Sequence, residues 1–305
     1  MYKRQNQQSL TAKDLHDWLT INKVIPSLPT VLTRLDALLR NPSVSVDQVA
    51  SLLAADVIVS ASIMKAVGAM RYVTVNPAET LTEAVSRLGF SDVRVIAYAA
   101  VFMSRIAPTP NISQKNFWLS AFVSAVAARE LAEHLTKKGL GSFDPATAFL
   151  LGLAHDVGML VLDAHSPRLY KEVVMKSKFN PSALSRHEKE ILGLNHGVAG
   201  AVLMKVWGFP ESWIMAVAGH SFPARLSKEF QPWADLLLAS ESVAFYMGYN
   251  NGACQAQNPE IVPELLVQRL QYMHFDPKDC CQLADRIRQL VEQEGWSTLV
   301  SSLPS

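Results

Sequence analysis

The chain has 305 residues, of which 49% are hydrophobic and 18% charged, and its formal net charge is +1. That make-up describes a globular protein with a sizeable core and gives no global electrostatic basis for binding nucleic acid or an anionic membrane. The first eight residues are polar and lack the apolar run of a secretory signal. No stretch reaches the length of a membrane span without polar interruption, so the cytoplasm is the expected location. Cys254, Cys280 and Cys281 form no C-x-x-C pair and are read as reduced thiols. The adjacent Cys280 and Cys281 point to different helix faces, so with His274 they are read as structural rather than as a metal cluster.

Hydrophobic periodicity near 3.6 predicts helices along the whole chain. Within residues 1–24 one helix is capped by Thr11 and carries Leu15, Trp18 and Leu19. Pro26 and Pro29 punctuate the next turn, after which Val31, Leu32, Leu35, Leu38 and Leu39 repeat at helical spacing until Asn41-Pro42. Ser45 caps a helix with Val46, Val49, Leu52 and Leu53 on one face. A further helix runs from Asp56 to Met70, and Val73–Pro77 reads as a loop. Thr80 and Glu83 form a T-x-x-E capping box, and Gly89 is expected to close that helix before another from Ser91 to Ile106. Pro108 and Pro110 then break the chain. Ser113–Lys137 is long and amphipathic, stopped by Gly139.

Asp144 followed by Pro145 opens the segment around which the chain is organised. From Ala146 to Leu162 it is apolar on nearly every face and is expected to be one core helix. His155 and Asp156 sit side by side within it. Burying them without partners costs roughly 2–7 kcal/mol for a neutral polar group and more for a charge, so partners are required. Shorter helices follow Ser166-Pro167 and Asn180-Pro181, His196 starts another that ends at Trp207-Gly208, and Glu211–His220 is one more. Beyond Gln231 three helices are expected, over Pro232–Met247, Pro259–Tyr272 and Pro277–Val291, with a linker at Gly248–Asn258. The fold class is all-α.

No P-loop, dinucleotide-binding glycine pattern, H-E-x-x-H or G-x-S-x-G occurs. A basic recognition helix is not visible either, although Arg87 and Arg94 could line one local patch.

The setting of the His-Asp pair is distinctive: Leu150-Leu-Gly-Leu-Ala-His155-Asp156-Val-Gly158-Met-Leu, then Glu188, Gly193, His196, Gly200, Trp207, Pro210 and His220. Upstream lie Pro26-Ser-Leu-Pro29, the segment Val49 to Asp56, Glu79 to Phe90 with Val93-Arg94, and a W-x-S at Trp118 and Ser120. Together these resemble the HDOD domain, a regulatory branch of the HD metal-dependent phosphohydrolase superfamily and a relative of the HD-GYP cyclic-di-GMP phosphodiesterases. The resemblance spans about residues 22–225. It implies a compact multi-helix HD-like fold with an N-terminal helical subdomain. The organisation it suggests is an extension (1–24), an HDOD domain (25–225, with halves 25–110 and 111–225), and C-terminal helices (226–305) that complete the domain or dimerise.

In such a superfamily histidines and an aspartate hold divalent ions that activate water. Carried over by position, His155 and Asp156 match the HD pair, while His196 and His220 fall where HD-GYP enzymes have further histidines. Two histidines of the pattern fall at Leu119 and Ser221, and the late aspartate falls near Glu241. In the N-terminal half an Asp-Pro step is replaced by Asp56-Val57, and an Asn-Ser by Gly68-Ala69. Too few donors remain for a tight two-metal centre. A buried hydrogen-bonded pair that braces the helices is therefore preferred over a metal site for His155 and Asp156, and the same holds for His196, whose place at a helix start would also suit capping. His220 at a helix end suits the helix dipole. His16, His134, His165, His187 and His274 match no landmark and are read as surface or loop residues.

The reading that follows is a bacterial signal-transduction module of HDOD type, without catalysis, that binds a signalling protein or small effector and has no cofactor. The alternative is a residual metal-dependent phosphohydrolase, using a weakly bound divalent ion at His155, Asp156, His196 and His220. A homodimer is compatible with either.

Overall fold

Local capping chemistry sets where the helices begin. The computed structural model describes residues 9–22, 29–68, 78–177, 183–254, 270 and 277–293, and no strand occurs among them. The expected loop at Val73–Pro77, the helix over Pro259–Tyr272 (Leu270 apart), and His274 lie outside the described residues. Thr11 and Asp14 form a reciprocal capping box before α1 (Ala12–Ile21), and Ser45 and Gln48 form another before α3 (Val46–Leu53). Between them lies α2 (Thr30–Leu39). Asp56 caps α4 (Val57–Val67) by accepting from the amides of Ile58 and Val59 at 3.0 and 3.1 Å.

Thr80 caps α5 (Leu81–Arg105), but Glu83 returns to the amide of Glu79 rather than that of Thr80, so the predicted capping box is only half formed. The expected pair of helices around Gly89 forms one kinked element. Gly89 takes φ +76°, a left-handed conformation that interrupts the helix, and the chain resumes at once in a new direction.

The second half comprises α6 (Gln114–Lys137), α7 (Pro145–Ala154), α8 (Val157–His165), α9 (Pro167–Ser177), α10 (Leu184–Leu192), α11 (His196–Val206) and α12 (Glu211–Gly219). A 3₁₀ turn at Pro223–Arg225, then α13 (Gln231–Tyr246) and α14 (Pro277–Gln293), complete the described chain. One apolar core runs from Leu15 on α1 to Val291 on α14. At its centre α7 lies against α6, α8 against α11, and α11 against α12, while α13 covers α6 and α12.

Every residue from Ala146 to Asp163 is buried, as a helix apolar on all faces requires. The segment is nevertheless two helices, not the single one expected. His155 Nδ1 donates to the carbonyl of Gly152 at 2.7 Å, taking the acceptor that the Asp156 amide would use in a continuous helix. Asp156 then adopts φ −95° and ψ 0°, and α8 starts afresh. The pair Pro145–His165 is the one stretch among the described residues long and apolar enough to cross a membrane, and 89% of its apolar window is buried within the fold.

One buried carboxylate clamps the connection before α6. Asp163 is fully buried and accepts from Asn111 N at 2.9 Å and Asn111 Nδ2 at 2.6 Å, and Asn111 Nδ2 also donates to the Pro167 carbonyl at 2.8 Å. Arg87 and Arg94 do not form the basic patch considered from the sequence, because each is matched by acid. Arg87 pairs with Glu83, while Arg94 donates to Asp36 at 2.8 Å and lies 3.6 Å from Asp144.

The closest helix contact is that of α8 with α11. A Cβ on Gly158 would collide with the His196 carbonyl oxygen and the Gly200 amide, and both of those are backbone atoms. Gly158→Ala is expected to cost about 3 kcal/mol of unfolding free energy or more, read from the midpoint of urea denaturation. Gly208→Ala changes a glycine with no atom near its missing Cβ, at φ +76°, so it tests backbone strain alone and should cost less.

Candidate functional site

Three helix ends converge on one carboxylate. His155 caps the C-terminal end of α7, His220 caps the C-terminal end of α12, and His196 is the first residue of α11. Asp156, between α7 and α8, is 4% exposed, and the three imidazoles around it are exposed by 4% or less. Its Oδ2 lies 3.4 Å from His155 Nε2, and its Oδ1 lies 3.4 Å from His196 Nε2 and 3.5 Å from His220 Nε2. Consecutive side chains of an unbroken helix diverge by about 100°. The break between α7 and α8 is what lets neighbouring residues share a centre.

The outer nitrogens fix the orientation of every ring. His155 Nδ1 donates to Gly152 O and His220 Nδ1 to Val217 O, both at 2.7 Å, and each acceptor is the carbonyl three residues earlier. His196 Nδ1 donates to Glu188 Oε2 at 2.6 Å, and the same oxygen accepts from the His196 amide at 2.8 Å. All three Nε2 atoms are thereby turned toward Asp156, the arrangement that ring-nitrogen partners impose on metal-binding histidines. Glu188 is fully buried on α10, and its other oxygen accepts from Tyr170 at 2.9 Å.

Electrostatics follow from this enclosure. Burial alone would raise the Asp156 carboxyl, but the imidazole of His155, followed by those of His220 and His196, holds it well below the ordinary carboxylate range. Burial would depress His196, yet Glu188 and Asp156, with a smaller push from Glu241 on α13, raise it to about 9. A proton on His196 Nε2 also accounts for its 3.2 Å approach to His220 Nε2, where two bare lone pairs would repel. Burial, with Glu188, Asp156 and Glu241, pushes the Cys254 thiol up to about 12. Cys254 is free and buried, as expected of a reduced thiol.

The structure brings together His155, Asp156, His196 and His220, all four of the residues singled out from the sequence. Ser221, where the superfamily pattern has a histidine, places its hydroxyl 3.3 Å from both His196 Nε2 and His220 Nε2. Leu119, at the other missing position, is half-buried against the apolar core. Glu188 was visible only as a landmark, and its role as the anchor of His196 was not legible. Of the histidines read as surface or loop residues, His16, His134, His165 and His187 are half-buried on α1, α6, α8 and α10. His165 stacks edge-on against Trp18 at 4.9 Å, and His187 Nδ1 lies 2.9 Å from Ser177 Oγ.

These residues fit one divalent ion. His155 Nε2 and Asp156 Oδ1 are buried without a hydrogen-bond partner, and donor atoms of His155, Asp156 and His220 lie within 4.8 Å of one another. A set of two imidazoles and a carboxylate suits a single imidazole-preferring metal, with His196 reachable only after it loses its proton. When bound, such an ion supplies Lewis acidity and a more acidic water. The chain's own contribution is orientation: two backbone carbonyls and Glu188 hold the rings, and Asp156 balances the charge at the centre.

The HDOD domain profile matches residues 25–223. The chain belongs to the HDOD domain family. A protein of Treponema pallidum (strain Nichols), itself uncharacterised, is 24% identical over 211 residues, which cover 68% of this chain and 40% of that one. An HDOD domain protein of Geobacter sulfurreducens superposes with a TM-score of 0.74 at 18% identity, covering 95% of this chain and 98% of the other. A candidate signal transduction protein of Marinobacter aquaeolei VT8 gives 0.73 at 22% identity (93% and 61%), and a candidate phosphohydrolase of Shewanella amazonensis SB2B gives 0.69 at 20% (93% and 99%). At these identities the structural likeness concerns the fold, an all-α HD-type scaffold.

The raised His196 dictates a pH response in metal-free protein. A group that holds its proton more tightly when folded contributes fully below its ordinary value of 6.5, and that contribution is lost as pH rises through about 9. Unfolding free energy is therefore expected to fall between pH 6.5 and 9. Asp156 acts oppositely, its contribution vanishing as pH drops below the ordinary carboxyl value of 3.8. Glu188→Gln should cost about 3 kcal/mol at pH 6 and flatten the alkaline fall. Urea titrations at a series of pH values check both.

Proposed function

We propose that this HDOD chain is a signal-transduction module of the bacterial cytoplasm that works without catalysis, passing on the binding of a signalling protein or small effector. The observation that carries this reading is enclosure. Asp156 and the three imidazoles are almost wholly inaccessible, so a phosphoester reaches that carboxylate only if the ends of α7, α11 and α12 part. A hydrolytic centre needs an open position for substrate and for attacking water. Here the imidazoles and the carboxylate instead face one another across three helix ends and brace them.

A second reading, a residual metal-dependent phosphohydrolase, is favoured by one feature, the unpartnered His155 Nε2 and Asp156 Oδ1. The two are separated by metal analysis of purified protein and by hydrolysis of bis(4-nitrophenyl) phosphate with added manganese. Under the first reading purified wild-type protein carries no stoichiometric metal and hydrolyses no faster than Asp156→Ala, whereas stoichiometric bound metal favours the second. Turnover that Asp156→Ala abolishes, with the variant shown to be folded by circular dichroism, would establish the second.

A further inference from the structure

α2 and α3 border a solvent-facing groove of about 520 Å³. Its apolar lining is Leu38, Leu52 and Ala55, and its polar lining includes Arg34 from α2 and Asp47 from α3. Both helices bury their other faces in the core through Val31, Leu32, Leu35, Val49 and Leu53. Two residues past Ala55 stands Val57, 80% exposed, followed by Ile58 at 42%. Val57 is the most exposed of the large apolar side chains among the described residues.

Arg34 and Asp47 border the same groove without pairing, and neither has an ion-pair partner among the described residues. Opposite charges that flank an apolar strip and leave each other unpaired form a pattern that is its own complement. Under a two-fold axis residue i meets residue j while j meets i. Two copies facing across this strip would each set Arg34 against Asp47 of the partner subunit, and the protruding Val57 would face the other's groove.

We infer that the α2–α3 groove, with Val57 and Ile58 at its edge, is a homodimer interface whose occupant is a second copy of this chain. A standard stable interface buries ~800 Å² per partner, more than the few side chains that line the groove, so the start of α4 has to take part. The apolar strip supplies the association, and the two symmetry-related Arg34–Asp47 pairs fix its register. This inference is independent of whether the His-Asp site binds an ion.

Sedimentation equilibrium of the full chain through the micromolar range provides the test. The wild type is expected to dimerise, and Val57→Asp to sediment as monomer. Arg34→Asp and Asp47→Arg should each weaken the dimer about tenfold or more, since each places like charges together twice per dimer. The double variant Arg34→Asp/Asp47→Arg should recover most of the wild-type affinity. The side chains at all three positions lie at the surface, and circular dichroism confirms that each of the four variants is folded. A monomeric wild type overturns the inference, and so does a dimer indifferent to Val57→Asp, or one in which the charge swap fails to rescue the single reversals.

Discussion

The carboxylate of Asp156 lies where water cannot stabilise it, and much of the second half of the fold follows from that. An ionised carboxyl in an apolar interior is tolerable only if donors or cations come to it. The chain delivers three imidazoles from the ends of three helices. Bringing those ends within hydrogen-bond reach forces α8 and α11 into backbone contact, which is why Gly158 faces the His196 carbonyl with no room for a methyl group. The same demand explains the interruption between α7 and α8. A straight helix would satisfy its own backbone and point His155 and Asp156 apart. Diverting one carbonyl, that of Gly152, to the histidine ring turns the pair inward.

Such a centre is costly to assemble and informative about what holds it. Removing one member of a buried charged network leaves the others unpaired, with a penalty of about 3–5 kcal/mol, although apolar residues of the same shape could often replace the whole network at little loss. Packing alone is therefore a poor reason for keeping four titratable side chains here. The ring orientations add a second constraint. Each outer nitrogen has a dedicated acceptor, and each inner nitrogen faces the carboxylate. A brace needs the rings close together, whereas an ion needs their lone pairs aimed at one point, and this site meets both conditions.

Much of this was legible in the sequence, for reasons that are local. Thr11, Ser45, Thr80 and Asp144 all cap the helices expected of them, because an N-cap is decided by one side chain and the next three amides. His155, Asp156, His196 and His220 stood out because polar residues in apolar helices need partners. What the sequence concealed depends on distant contacts. Glu188 lies in a helix of ordinary charged composition, and nothing local marks it as the carboxylate that holds His196. Asp163 reads as a break in an apolar run until Asn111, fifty-two residues away, is found against it. The interruption at His155 is likewise chosen by competition for a backbone acceptor, not by periodicity, whereas the break at Gly89 was legible from the glycine itself.

Arg94 ties α2 to two of the helices that carry the site. Its guanidinium is held by Asp36 on α2, lies beside Asp144 at the start of α7, and sits 5.7 Å from the ring centroid of Trp213 on α12. Tyr98 reinforces the same anchor by donating to Asp36 at 2.6 Å. α7 and α12 are the helices whose opposite ends carry His155 and His220. One side chain thus touches α2 and the near ends of two site-bearing helices, each of them roughly rigid over ten residues or fewer. A shift of α2 would act on those helices through an ion pair and a stacked ring, both directional contacts that do not deform continuously. Contiguity by itself transmits nothing unless some element has two stable positions. In this path the helical run is interrupted at the junction of α7 with α8, where Asp156 takes φ −95° and ψ 0° and α8 starts afresh, so any change carried from α2 would have to pass that junction to reach Asp156.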